Sequence, residues 1–396
     1  MNNERRDPRA LNQSAVQALN AGEPARARAL LEEAVAIDAG QAVYWQNLAL
    51  ACNLLGDADA EFAALEKTLA LEPYSVIALL QKGRLLERRG QLRKAAAAYH
   101  AVITILPPDA QLSPQVRAAV DHARRVVRAD KDAFEAFLQG KLQEVRNRHP
   151  GARMDRFERC LDALLGKRRV YVQQPTFMNF PHLPAIQFYD RGDFQWLDAV
   201  EAAAPAIRSE LVSALASDDD SFVPYVANPA GVPLNQWREL NNSPRWSAFY
   251  FWRNGERIDA NCERCPQTAR VLAEAPLLDI PGRAPTAFFS LLKPKTRIPP
   301  HTGVANTRLT VHLPLVIPEG CRFRVGSETY PWEPDRAWVF DDTIEHEAWN
   351  DSDEPRAILI FDIWNPYLTQ VERELVRVVM QGAATFYEQD SGLDGV

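Results

Sequence analysis

Glycine recurs at a fixed interval near the start of this chain: Gly22, Gly56 and Gly90 lie 34 residues apart. Other columns keep the same phase. Leu11/Trp45/Leu79 and Leu31/Leu65/Tyr99 are large, Ala15/Ala49/Gly83 are small, and Ala39/Pro73/Pro107 close each unit. Few folds satisfy such a period. Small residues where two helices approach, large ones where they interlock, Gly at the turn and Pro at the end describe a helix-turn-helix unit that buries its apolar face only by stacking on its neighbours. Single positions drift, with Ala39 in place of Pro and Glu61 in place of the small Ala27 and Ala95, but five columns remain in phase.

This pattern resembles the tetratricopeptide repeat over residues 9–108, about three repeats, which is near the minimum for a stable stack. The resemblance implies an all-α solenoid whose concave surface takes a protein or peptide partner; bracing of a neighbouring domain is the alternative use of so short an array. Residues 109–169 read as a helical linker. Ser113 followed by Pro114 is a sound helix start, and Gly151 separates two helical runs. The basic clusters Arg124-Arg125 and Lys167-Arg168-Arg169 read as solvated faces. With 45 Lys+Arg against 52 Asp+Glu, the chain carries a formal charge of −7, so nucleic acid is not an expected partner. Five Cys in 396 residues do not make a disulfide framework. No apolar run is long enough to span a membrane, and the charged start Met1–Pro8 lacks the apolar core of a signal peptide. A cytoplasmic protein is the expectation.

From Val170 the character changes. The Pro- and aromatic-rich run to Tyr189 reads as loops and short strands, and Trp196 to Leu215 as one amphipathic helix. Alternating strands follow at Ala287–Lys293, Thr307–Ile317, Arg322–Val325, Ala337–Phe340 and Arg356–Trp364, separated by turn residues such as Pro318-Glu319-Gly320. Short strands at this spacing predict a sandwich or jelly roll, closed by a helix from about Gln370 to Tyr387.

Three of the seven His fall among these strands: His301, His312 and His346. Two imidazoles from separate strands, His301 and His346, with a nearby Arg and no Cys ligands, suit a borderline metal, and two-His-one-carboxylate sites hold non-haem iron with positions left open. The carboxylate of the usual His-x-Asp/Glu spacing is missing, because Gly303 stands there. Arg356, ten residues beyond His346, could form a two-pronged salt bridge with a dicarboxylic co-substrate. Period-two alternation puts Arg308, Thr310 and His312 on one strand face, where His312 could donate to a carboxylate, and Ser290 with Leu292 on one face of the preceding strand.

The ordered motifs Pro300-His301-Thr302-Gly303, Asn306-Thr307-Arg308-Leu309, His312-Leu313, Pro318-Glu319-Gly320-Cys321, Trp332, Phe340-Asp341-Asp342 and Glu345-His346-Glu347-Ala348-Trp349, followed by Arg356 and Asp362-Ile363-Trp364-Asn365-Pro366, resemble the aspartyl/asparaginyl β-hydroxylases. The resemblance is dense from Trp246 to Thr369. It implies a double-stranded β-helix (jelly-roll, cupin-like) dioxygenase domain with flanking helices over residues 170–396. It also implies Fe(II) as cofactor, with 2-oxoglutarate and O2 as co-substrates, and hydroxylation of a C–H bond in a protein or peptide residue or a small molecule with release of succinate and CO2. By the same resemblance, His301 and His346 would hold the iron, and the Gly at 303 is a family trait. Arg356 and Ser290 would hold the distal carboxylate of 2-oxoglutarate, His312 its carboxylate near the metal, and Trp246 would be the pocket tryptophan.

Two departures stand out. Thr310 occupies a position where animal members carry an Arg for an acidic side chain, so the substrate does not carry over. Cys262 matches one half of a family disulfide whose other half is Ala269 here, while Cys265 is new; a zinc site would need a second ligand pair, so two free thiols are expected. Of Trp246, Trp252, Trp332, Trp338 and Trp349, only Trp246 is expected in the pocket, the others serving as packing. Asp341 and Asp342 are expected to orient a His. The bland readings are two hydrogen-bonded structural His, an Arg356 paired with Asp341, Asp342 or Glu345, and a satisfied core His312. The rival to the enzyme reading is a catalytically inactive β-helix and repeat scaffold that binds a protein partner.

Overall fold

The computed structural model describes residues 7–107, 109–217 and 221–388. Pro108 and residues 389–396, at the ends of the expected repeat and catalytic regions, lie outside the described residues, as do residues 1–6, on which the signal-peptide reading rests. Packing divides the chain into two units, Met1–Glu158 and Arg159–Val396.

The first unit is helical. In order come α1 (Pro8–Asn20), α2 (Pro24–Ile37), α3 (Ala42–Leu55), α4 (Ala58–Leu71), α5 (Val76–Arg88), α6 (Leu92–Ile105) and α7 (Pro114–Arg148), and α8 (Asp155–Leu164) runs across the division. The 34-residue glycine phase has a backbone cause. Gly22, Gly56 and Gly90 all take φ between 68° and 75°, a left-handed turn that costs a Cβ-bearing residue strain. The small column has a packing cause. A Cβ on Gly83 would lie 2.2 Å from the ring of Tyr99, so the largest residue of one column faces the smallest of the other. Asp57, Ser75 and Ser113 cap their helices by accepting from backbone N–H groups three residues on. Within the region read as linker, the first turns of α7 bury Ala119, Val120, Ala123 and Val127 in the same cluster as Tyr99 and Val102 of α6.

The second unit is built on two antiparallel sheets. Its helices α9 (Leu197–Ala202) and α10 (Ala204–Ala216) replace the single helix expected over this stretch. Pro205 in the first turn of α10 has no N–H to continue the ladder, so the chain restarts there. There follow β1 (Val223–Pro224), β2 (Trp246–Arg253), β3 (Glu256–Arg257), α11 (Asp259–Arg264), α12 (Pro266–Glu274), β4 (Ala287–Leu292) and β5 (Thr296–His301). Then come β6 (Arg308–Val316), β7 (Cys321–Val325), β8 (Glu328–Tyr330), β9 (Trp338–Phe340), β10 (His346–Asn350), β11 (Arg356–Trp364) and α13 (Gln370–Glu388). The strands expected from Ala287 on and the closing helix are present; β1, β2, β3, β5, β8 and β10 are additions to them, and the run to Tyr189 makes isolated bridges rather than the expected short strands. β5 carries Pro299-Pro300, which obscures it in sequence. It is an edge strand, where missing N–H donors are tolerated.

One sheet has the order β1-β2-β4-β11-β6-β9 with β3 on β2, and the other β5-β10-β7-β8. Alternation sorts the faces of the larger sheet. Phe249, Phe289, Leu309, Val311, Leu313, Leu359 and Phe361 enter a core shared with α9–α12, while Trp246, Leu292, Trp338 and Phe340 point to the other side. There they meet Ile298, Phe323, Val325 and Ala348 of the smaller sheet. The chemistry-bearing residues lie in this inter-sheet space.

Candidate functional site

β5 and β10 pair so that His301 stands directly opposite His346, at the end of one strand and the start of the other. Their ring centroids are 4.0 Å apart. Each ring is oriented by the backbone two residues before it: Nδ1 of His301 lies 2.8 Å from the Pro299 carbonyl and Nδ1 of His346 3.1 Å from that of Ile344. Donation from Nδ1 leaves the Nε2 lone pair of both rings available, the arrangement metal-binding His adopt. Burial lowers the pKa of His301, and it lowers that of His346 well below the usual value, helped by the neighbouring His301. Both are therefore neutral and able to ligate.

At Gly303 no side chain fits. A Cβ there would lie 2.2 Å from the carboxylate carbon of Asp342, and the Gly303 N–H donates to the Asp342 carbonyl at 2.7 Å. The Asp342 carboxylate thus fills the space a side chain at 303 would need. Its Oδ2 accepts from Arg308 at 2.7 Å, while Oδ1 is buried with no hydrogen-bond partner among the described residues. Arg308 also donates to Asp362 at 2.8 Å. Burial opposes the charge of this Arg, but Asp342 and Asp362 outweigh it and raise its pKa. Burial pushes Asp362 up to about 6, against the pull of Arg308. The neighbouring Asp341 accepts from Thr343 and Gln173, the latter at 2.5 Å, and sets the turn that leads into His346. No group of three or more His, Cys, Asp or Glu among the described residues is arranged to hold a metal.

Arg356 opens β11 opposite Leu292, on the same face as Ser290 and His312. It is buried, yet none of the carboxylates considered for it is its partner: Asp341 is held by Gln173, Asp342 by Arg308 and Glu345 by Arg324. Burial lowers its pKa to about 10, which still leaves it charged at neutral pH. His312 is enclosed by Phe323, Phe340, Trp338 and Trp332, and its Nδ1 is buried without a partner among the described residues. Burial, and then Arg356, hold its pKa well below the ordinary value. Ser290 Oγ accepts from Trp246 Nε1 at 3.1 Å and keeps its own hydroxyl proton to donate.

The six residues singled out from sequence therefore share one inter-sheet space. Three aromatic neighbours were not foreseen there. Trp332, expected to be packing only, lies over Arg356, its ring centre 5.6 Å from the guanidinium carbon. Trp237 stands 5.0 Å from His301, edge to face, and Tyr225 stacks on Trp246 at 4.0 Å. All three lie in irregular or very short segments, where no periodicity marks which side chains turn inward. Cys262 and Cys265 are buried free thiols whose pKa burial raises.

The sequence profile of the family described as Aspartyl/Asparaginyl beta-hydroxylase matches residues 201–366. The chain is 39% identical over 145 residues to the Homo sapiens aspartyl/asparaginyl beta-hydroxylase, covering 36% of this chain and 19% of that protein. It is 32% identical over 181 residues to the Rhizobium tropici ornithine lipid ester-linked acyl 2-hydroxylase, covering 45% and 60%. It therefore spans about a fifth of the length of the human relative. Among solved structures, the Arabidopsis OM64 TPR domain aligns at 18% identity with a TM-score of 0.27, over 31% of this chain and 97% of that one.

Proposed function

We propose that this chain, whose residues 201–366 match the profile of the aspartyl/asparaginyl β-hydroxylases, is an Fe(II)- and 2-oxoglutarate-dependent hydroxylase of that family. The observation that carries the reading is the pairing of two unspent functions in one inter-sheet space. Two neutral imidazoles present free Nε2 atoms, and one buried guanidinium has no carboxylate partner among the described residues. A structural His pair would have no need of both free nitrogens, and a buried Arg without a counter-ion is costly unless a ligand supplies one. The same pairing weighs against the inactive scaffold.

In this reading His301 and His346 hold the metal, and the partnerless Asp342 Oδ1 beside Gly303 offers a hydrogen-bond acceptor where a third ligand would otherwise stand. Bound ferrous iron supplies O2 activation coupled to 2-oxoglutarate decarboxylation, placing one oxygen atom in succinate and the other in a C–H bond of the substrate. Arg356 binds the distal carboxylate of 2-oxoglutarate, with the Ser290 hydroxyl as a second donor. His312 orients the carboxylate near the metal. Trp237, Trp246 and Tyr225 wall the site and exclude water from it. The strand orders β4-β11-β6-β9 and β5-β10-β7-β8 support a double-stranded β-helix for this domain. The repeats would recruit a protein or peptide partner, a role supported by exposed Val43, Leu50 and Leu54, one apolar stripe on α3.

The test is anaerobic Fe(II) titration followed by 2-oxoglutarate turnover to succinate, with His346→Ala as control. Iron-dependent turnover that falls at least about a hundredfold in the variant is expected. Absence of iron-dependent 2-oxoglutarate binding in the intact protein would overturn the reading. A product 16 Da heavier than its substrate identifies hydroxylation.

A further inference from the structure

Trp332 lies in the connection from β8 to β9, the segment that carries the chain from the smaller sheet to the larger. Its ring covers Arg356 at 5.6 Å, runs nearly parallel to His312 (7° between planes, centroids 6.2 Å apart) and rests on Trp338 at 4.5 Å. Its Nε1 and the Nδ1 of His312 are both buried without hydrogen-bond partners among the described residues. An aromatic face is a particular kind of neighbour for a buried guanidinium. It offsets part of the charge's desolvation cost through the ring quadrupole, yet it uses none of the in-plane N–H donors. A carboxylate neighbour would do the opposite, stabilising the charge by occupying the fork.

Building on the function proposed above, we infer that Trp332 is a positioning residue for the co-substrate: its ring face holds Arg356 in place, with the guanidinium fork open to the distal carboxylate of 2-oxoglutarate. The role belongs to the π-face and acts through Arg356, so it concerns only ligands that carry that distal carboxylate.

Calorimetric titration of the full chain with Fe(II) under anaerobic conditions tests this, comparing 2-oxoglutarate with 2-oxovalerate, which has the same chain length but no distal carboxylate. Trp332→Leu should weaken 2-oxoglutarate binding roughly tenfold, and Trp332→Phe, which keeps a π-face, by no more than about threefold. Neither should change 2-oxovalerate binding. Equal loss for both acids would make Trp332 mere packing, and wild-type affinity in W332L would remove its role altogether. If W332L does not fold, W332M, which fills the space with a flexible apolar chain, takes its place under the same criteria. Failure of the wild type to bind 2-oxoglutarate would remove the underlying function. Wild-type binding that is lost in Arg356→Leu but unchanged in W332L would overturn this inference alone.

Discussion

Gly303 invites an obvious experiment, the introduction of a side chain where many iron sites carry a carboxylate, and the structure predicts that even a methyl group fails there. In Gly303→Ala the new Cβ would sit 2.2 Å from the Asp342 carboxylate carbon, whereas ordinary contact begins at 3.4 Å. The carboxylate must move by roughly 1.2 Å, an overpacking displacement. Its 2.7 Å bond to Arg308 then stretches beyond hydrogen-bond length. Arg308 keeps Asp362, so only part of a buried ion pair is lost. Overpacking costs about 1–3 kcal/mol and breaking such a pair outright about 3–5 kcal/mol. With one partner retained and some relaxation, about 2–4 kcal/mol is the expected loss. The assay is urea unfolding followed by tryptophan fluorescence, which Trp246, Trp332 and Trp338 make a report on the second unit. A double-mutant cycle isolates the contact: in an Asp342→Ala background, Gly303→Ala should cost under about 1 kcal/mol, a coupling of about 2 kcal/mol. Equal cost of Gly303→Ala in both backgrounds would show that Asp342 does not enforce the glycine.

Two further predictions concern other parts of the chain. Gly83→Ala should destabilise the helical unit by about 1–3 kcal/mol, read as a lower melting point by circular dichroism, and Tyr99→Leu in the same chain should recover most of the loss by vacating the space. His312, whose pKa burial and Arg356 hold well below normal, binds a proton more readily unfolded than folded. Its contribution to stability is full above the unfolded value near 6.5 and is lost as pH falls through the depressed folded value. Relative to His312→Gln, the wild type should therefore lose about 1 kcal/mol by pH 5.5. Asp341 and Asp362, raised to about 6 by burial, act in the opposite sense and cancel in that comparison. Parallel curves for the two proteins between pH 7.5 and 5.5 would contradict the assignment.

The repeat region was legible because its constraints recur along the chain. Each Gly at positive φ and each small residue under a large one is forced by the same local geometry one period later, so Gly22, Gly56 and Gly90 announce the turns before any tertiary contact is known. The strands β4, β6, β7, β9 and β11 were legible from alternation. The proline-bearing β5 and the Pro205 break between α9 and α10 were not, because tolerance of a proline depends on whether the strand is an edge and on where a helix restarts.

At the site, the sequence alone determined the identities and order of His301, His312, His346, Arg356 and Ser290, and alternation placed His312 and Ser290 on their strand faces. Tertiary structure alone decided that Asp342 fills the space beside Gly303, that the carboxylates considered for Arg356 are all held by other groups, and that Trp332 covers its guanidinium. The physical reason is range. Backbone strain and strand alternation act between residues close in sequence and leave a periodic trace, whereas the contact of Gly303 with Asp342, or of Trp332 with Arg356, joins segments distant along the chain. Such contacts depend on the volume and charge left over once two sheets have packed, and no local pattern records that remainder.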